Sequence, residues 1–203
     1  MISLSEIDTT VKRASKAIGF SWGIAEEVGK NIKLLELFGL PGLKNLNDYF
    51  KSYKKKQFQN ISIINKTNES AKISYCPIVL GVNFLDQISL IERLKEIKIK
   101  NVAYPLLFLP FVSRASENSG KRILLNIDQN KFLLNFNNSI NFNFLKNEII
   151  VNADEINIKI FENENTFNDK DWYEIYKLSE DIFVEESESL KEKAAGAGLT
   201  DND

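Results

Sequence analysis

The stretch GFSWGIAEEVG, Gly19 to Gly29, holds residues whose types and spacing could do chemistry. Ser21, Trp22 and Gly23 open a helix there, so their backbone N–H groups lack helical partners and favour an anion, by about 0.3–1 kcal/mol per charge. Gly23 has no side chain and allows close approach. On a helical wheel Trp22, Glu26, Lys30 and Lys33 share the side away from the core stripe, and Glu27 adds a second carboxylate. Trp22 then reads as a stacking or lid residue beside an anion site. The competing reading is a second packing surface, with Glu26–Lys30 as an ordinary i,i+4 pair.

A second group lies in FVSRASENSGKR, where Arg114 and Arg122 bracket a polar loop between two apolar strands. A hairpin there would bring two guanidiniums into register to fork a carboxylate or phosphate. A solvated turn with strand-end charges is the plainer alternative. The third group is the tail, AAGAGLTDND. Gly196 and Gly198 would let the chain bend back, carrying Asp201 and Asp203 toward the helix start at Ser21–Gly23 or toward the arginines. Fraying into solvent is the default for such a segment. Cys76, in YCPIVLG, reads as a small buried hydrophobe opening a strand rather than as a nucleophile.

Other chemistry is excluded outright. The chain has no histidine, which removes Ser-His-Asp and Cys-His couples and imidazole metal ligands. Its single cysteine removes internal disulfides and thiolate metal clusters. A net charge of −2 with interleaved signs argues against nucleic acid. The longest apolar run, Ala103 to Val112, is about half a membrane span and is broken by prolines. MISLSEIDTT lacks a signal-peptide pattern, so the expectation is a cytoplasmic protein without a membrane partner. No loop has Walker, Rossmann or EF-hand spacing, so no cofactor is assigned. Carboxylates alone could take Mg²⁺ or Ca²⁺.

The elements that must position these groups read as α+β. N-terminal helices and a C-terminal helix are expected to pack on a central, mainly antiparallel β-sheet. Ser3 and Ser21 cap the first two helices, Gly19 and Gly39 stop them, and a third runs from Leu43 to Tyr53. From Phe58 to Phe161 short runs rich in Ile, Val, Phe and Leu predict strands: KISYCPIVLG, KIKNVAYPLLFLPFV, KRILLNI, KFLLNFN, SINFNFL, NEIIVNA and EINIKIF. A helix is expected near Leu85–Ile97. A last helix, capped by Asp169 or Asp171, carries the stripe Trp172, Ile175, Tyr176, Ser179, Ile182 and Phe183. The organisation is a single domain over residues 1–203: a helical segment 1–55, a β-rich core 56–165, a C-terminal helix 166–193 and a Gly/Asp tail 194–203.

Two stretches, ASKAIGFSWGIAEEVGKN and AAGAGLTDND, together resemble an uncharacterised bacterial family, the domain of unknown function 3726. The resemblance rests on Ser21-Trp22-Gly23, Glu26-Glu27, Gly29, Cys76-Pro77 and Gly196 through Asp203. It implies no activity or substrate. It does imply that the Ser21 helix start and the tail belong to one pattern.

These features favour a non-catalytic accessory or binding domain, for a small anionic metabolite or for a protein partner that includes a second copy of the chain. The alternative is a small histidine-free hydrolase, lyase or isomerase of a carboxylated metabolite, with Glu26, Glu27, Asp201 and Asp203 as acid–base groups and Lys or Arg as the anion clamp.

Overall fold

The computed structural model describes residues 2–70, 72–135, 137, 139–142 and 149–182. They fall in two compact units, Met1–Asn163 and Glu164–Asp203.

Three helices open the first unit: α1 (Leu4–Ile18), α2 (Trp22–Leu37) and α3 (Gly42–Tyr53). Their ends follow the sequence signals. Ser3 Oγ accepts from the Glu6 N–H at 3.1 Å and Ser21 Oγ from the Ile24 N–H at 3.4 Å. Gly19 closes α1 in a left-handed conformation at φ 118°. Val11, Val28, Ile32 and Leu35 bury the facing stripes.

The next stretch departs from the strand reading. KISYCPIVLG is the start of a helix, α4 (Pro77–Asp86), with Cys76 as N-cap and Pro77 in its first turn. Ile78, Leu80, Gly81 and Phe84 of α4 are all buried. Its other side is half-buried and carries Val79, Val82 and Leu85, so apolar residues do not mark out a single stripe. A short α5 (Ile88–Ile91) and a 3₁₀ turn (Glu92–Leu94) follow, and the chain is already extended at Glu96, inside the span expected as helix.

KIKNVAYPLLFLPFV is strand only at first. β1 (Thr67–Glu69) precedes it, β2 (Glu96–Ala103) takes its first half, and a 3₁₀ turn (Pro105–Leu107) leads into α6 (Leu109–Ser119). FVSRASENSGKR is therefore a helix end, not a hairpin loop. Gly120 stops α6 at φ 64°, where its N–H bonds the Glu117 carbonyl. α4 and α6 touch so closely at Gly81 that a Cβ there would stand 2.1 Å from a ring carbon of Phe111.

With β3 (Ile123–Ile127), β4 (Asn130–Leu134), β5 (Ile140–Phe142) and β6 (Asn152–Ile160), the described strands form one sheet in the order β1-β2-β6-β3-β4-β5. The β1–β2 pair is parallel and the other pairs are antiparallel. β6 is last in sequence yet central. Its Ile156 faces Ile99 and Ile127, and its Ile158 faces Ile97 and Leu125, all fully buried. The opposite face of these strands carries Glu96, Lys98 and Lys159 to solvent, the alternation of a sheet covered on one side. The class is α+β.

The second unit contributes α7 (Asp169–Glu180). Its cap is Asn168, one residue before the expected Asp169. Asn168 Oδ1 accepts from the Asp171 N–H at 2.9 Å, and Asp171 Oδ2 accepts from the Asn168 N–H at 3.4 Å. None of the residues of α7 is buried. Phe183 lies outside the described residues.

Candidate functional site

Among the described residues, those that the sequence singles out do not converge on one ligand site. Ser21 caps α2, and Gly23 has open space around it. Trp22 is 55 % exposed, but its ring faces the ammonium groups of Lys16 at 5.5 Å and Lys12 at 6.0 Å. Glu26 pairs with Lys12 of α1, not with Lys30, and Lys33 pairs with Asp8 at 3.9 Å. Lys30 pairs with Glu27 at 2.9 Å. Both carboxylates of this helix start, Glu26 and Glu27, are thus paired with cations.

The arginines have separate partners. Arg114, on α6, donates to Glu27 and to Asn31 Oδ1 at 3.3 Å, tying α6 to α2. Arg122, beyond Gly120, lies 5.8 Å from the Phe161 ring. Burial works to raise the Glu27 carboxyl, but Arg114 and Lys30 win and hold it below its ordinary 4.5. Hydrogen bonding and charge from Lys12 lower Glu26 as well. Carboxylates held ionised in this way are weak bases. Gly196, Gly198, Asp201 and Asp203 lie outside the described residues.

Cys76 is 1 % exposed and fills a core position. Its Sγ accepts from the Val79 N–H at 3.4 Å and meets the Tyr49 hydroxyl at 3.1 Å. Burial pushes the thiol above its ordinary 9.0 and the Tyr49 phenol far above its own. The thiol is inert, as the sequence reading expects, although the element it opens is a helix.

A cleft lies elsewhere, where the end of α3 meets the end of β2 and the start of β6. It encloses about 550 Å³, within the range of small-molecule sites. Tyr49 backs it, with ring centres 5.6 Å from Tyr104 and 5.2 Å from Phe58. Ser52, Ser74, Tyr104 and Asn152 give it hydroxyls and an amide, Phe58, Ile73 and Val151 an apolar wall, and Lys56 and Lys72 its charge. Among the described residues, no aspartate or glutamate lines it.

Its polar groups are organised by hydrogen bonds. The Tyr104 hydroxyl donates to Asp48 Oδ2 at 2.8 Å and meets Ser52 Oγ at 2.8 Å. Burial raises the Tyr104 phenol above 10.0, and Asp48 adds to that. Across the cleft Ser74 Oγ lies 2.7 Å from Asn101 Oδ1 and 2.8 Å from Asn152 Oδ1.

The backbone here is strained. Tyr104 (φ 42°) and Asn101 (φ 60°) are two of the four described non-glycine residues with positive φ. A left-handed aromatic residue costs on the order of 1–3 kcal/mol. Pro105 disfavours the right-handed helical alternative at Tyr104, and the Tyr104 N–H is held by the Val151 carbonyl at 2.9 Å. Strain of this size gathers where geometry serves a site.

Sequence reasoning missed this cleft because its residues come from four separated segments that share no motif. The Tyr104-Pro105 step, a polar aromatic before proline inside an apolar run, is the signal that marks it. Among the described residues no cluster of three or more metal-ligating side chains occurs, and no helix is long and apolar enough to cross a membrane.

No curated protein and no solved structure matches the chain. A family model matches residues 2–75, which carry α1, α2, α3, β1 and the cleft residues Ser52, Lys56, Phe58, Lys72 and Ser74. Over residues 2–75 the chain is thus similar to the family described as protein of unknown function (DUF3726), the one that its SWG–AEE stretch resembles.

Proposed function

We propose that the chain is a binding domain for a small organic anion, held in the cleft between Ser52, Ser74 and Tyr104. One observation carries this reading. Lys56 and Lys72 stand at a cleft without carboxylates, and neither makes an ion pair with any described residue. Two uncompensated ammonium groups beside hydroxyls and an apolar wall favour an anion with a hydrocarbon part. Binding is favoured over acid–base catalysis because Glu26 and Glu27 are tied to cations away from this cleft.

The test is a thermal-shift series with small carboxylates and phosphate esters at constant ionic strength, on the wild type and on the Lys56→Ala/Lys72→Ala variant. Both lysines are exposed, so the variant folds. A ligand at a hundred times its Kd stabilises by about 2.7 kcal/mol, which raises Tm by roughly 5–10 °C in a chain of this size. The variant is expected to lose that rise. No shift with any anion, or equal shifts in both proteins, would refute the reading.

A further inference from the structure

The proton positions in the cleft say more about its ligand, provided the anion-binding reading above holds. Tyr104 has one hydroxyl proton, and it goes to Asp48 Oδ2 at 2.8 Å. The Ser52–Tyr104 contact at 2.8 Å must then use the Ser52 proton. Ser52 is left with lone pairs toward the cleft. On the other wall the Asn101 amide donates to the Ser70 carbonyl at 2.9 Å, which fixes its Oδ1 toward Ser74. Ser74 therefore spends its proton on Asn101. The Asn152 amide donates to the Ala153 carbonyl at 3.3 Å, so its Oδ1, 2.8 Å from Ser74 Oγ, competes with Asn101 for the same proton and none is left for a ligand. Among the described residues that line the cleft, the cationic donors are Lys56 and Lys72.

We infer that the cleft selects an organic anion that also carries a hydroxyl or N–H donor: the anionic end at Lys56 and Lys72, the donor at Ser52. Asp48 acts as a specificity-determining residue without lining the cleft, because it sets the direction in which the chain of hydroxyls donates. A ligand lacking the donor leaves Ser52 without its partner, and a ligand offering only an ether oxygen there meets lone pair with lone pair.

The experiment uses matched acids on the full chain by isothermal titration: lactate against propionate, malate against succinate, and 3-(4-hydroxyphenyl)propionate against its methyl ether. The hydroxyl-bearing member is expected to bind about tenfold tighter in at least one pair. Ser52→Ala should erase that ratio. Asp48→Asn can donate to Tyr104 and so lets the hydroxyls run the other way. It should narrow the ratio to about threefold or less while leaving the affinity of the donor-free acid unchanged, which a merely structural role for Asp48 would not do. Equal binding within every pair, still dependent on Lys56 and Lys72, overturns this inference and leaves the anion-binding reading standing. A ratio that survives both variants overturns it too. Failure of every acid to bind overturns both.

Discussion

Replacing Gly81 with alanine tests the contact that holds α4 against α6. In an exposed helix the change would gain about 1 kcal/mol, because glycine is a poor helix former. Here the new Cβ would lie 2.1, 2.4 and 2.6 Å from three carbons of the Phe111 ring. Ordinary contact needs about an ångström more. Phe111 is 1 % exposed, and a stiff buried ring cannot step aside as a lysine tip can. Overpacking costs about 1–3 kcal/mol, and a clash with three ring atoms belongs at the upper end. The net expectation for Gly81→Ala is a loss of about 2 kcal/mol, which lowers Tm by roughly 4–8 °C. Urea unfolding followed by circular dichroism reads it directly. Phe111→Leu alone should also destabilise, by opening a cavity. The double variant should recover at least about 1 kcal/mol relative to additivity, since the alanine methyl then has room. A Gly81→Ala protein as stable as wild type, or strict additivity in the cycle, would refute the packing argument.

Two further outcomes are expected. The Cys76 thiol should resist a disulfide exchange reagent in the folded protein and react once urea unfolds it, and Cys76→Ala should cost about 1–2 kcal/mol by leaving the Val79 N–H and the Tyr49 hydroxyl unpaired; a native thiol that reacts as fast as the unfolded one contradicts this. Glu27 is depressed below 4.5 in the folded state, so its stabilisation is present above that pH and is lost as pH falls through the lower folded value. Glu27→Gln should accordingly be less stable than wild type at pH 7, with the gap closing below about pH 4.5; a gap that stays constant on acidification shows that Arg114 does not act through charge.

The first three helices were legible because their ends carry local chemistry. Ser3, Gly19 and Ser21 state the caps, and half-buried helices show their period. α4 and α6 were not legible by the same route. PIVLGVNFLD is apolar except at Asn83 and Asp86, and an apolar run of that kind reads equally well as a buried strand. The better evidence was punctuation: Pro77 after a capping Cys76, Pro110 in the first turn of α6, and Gly120 at its end. Misplacing α6 turned Arg114 from an inter-helix tie into half of an imagined anion clamp. Hydrogen-bond direction around Tyr104 could not be read at all, since it depends on Asp48, Ser52 and Tyr104 meeting from two distant segments.

The central place of β6 has a consequence for how the molecule comes into being during synthesis. Until Asn152–Ile160 has left the ribosome, β2 and β3 have no neighbour to join them, because both are hydrogen-bonded to β6 and not to each other. The sheet closes like an arch on its keystone, with Ile156 and Ile158 dropping between rows of isoleucine and leucine already waiting. Nascent chains released short of that strand would expose both rows at once, and would be natural clients for chaperones.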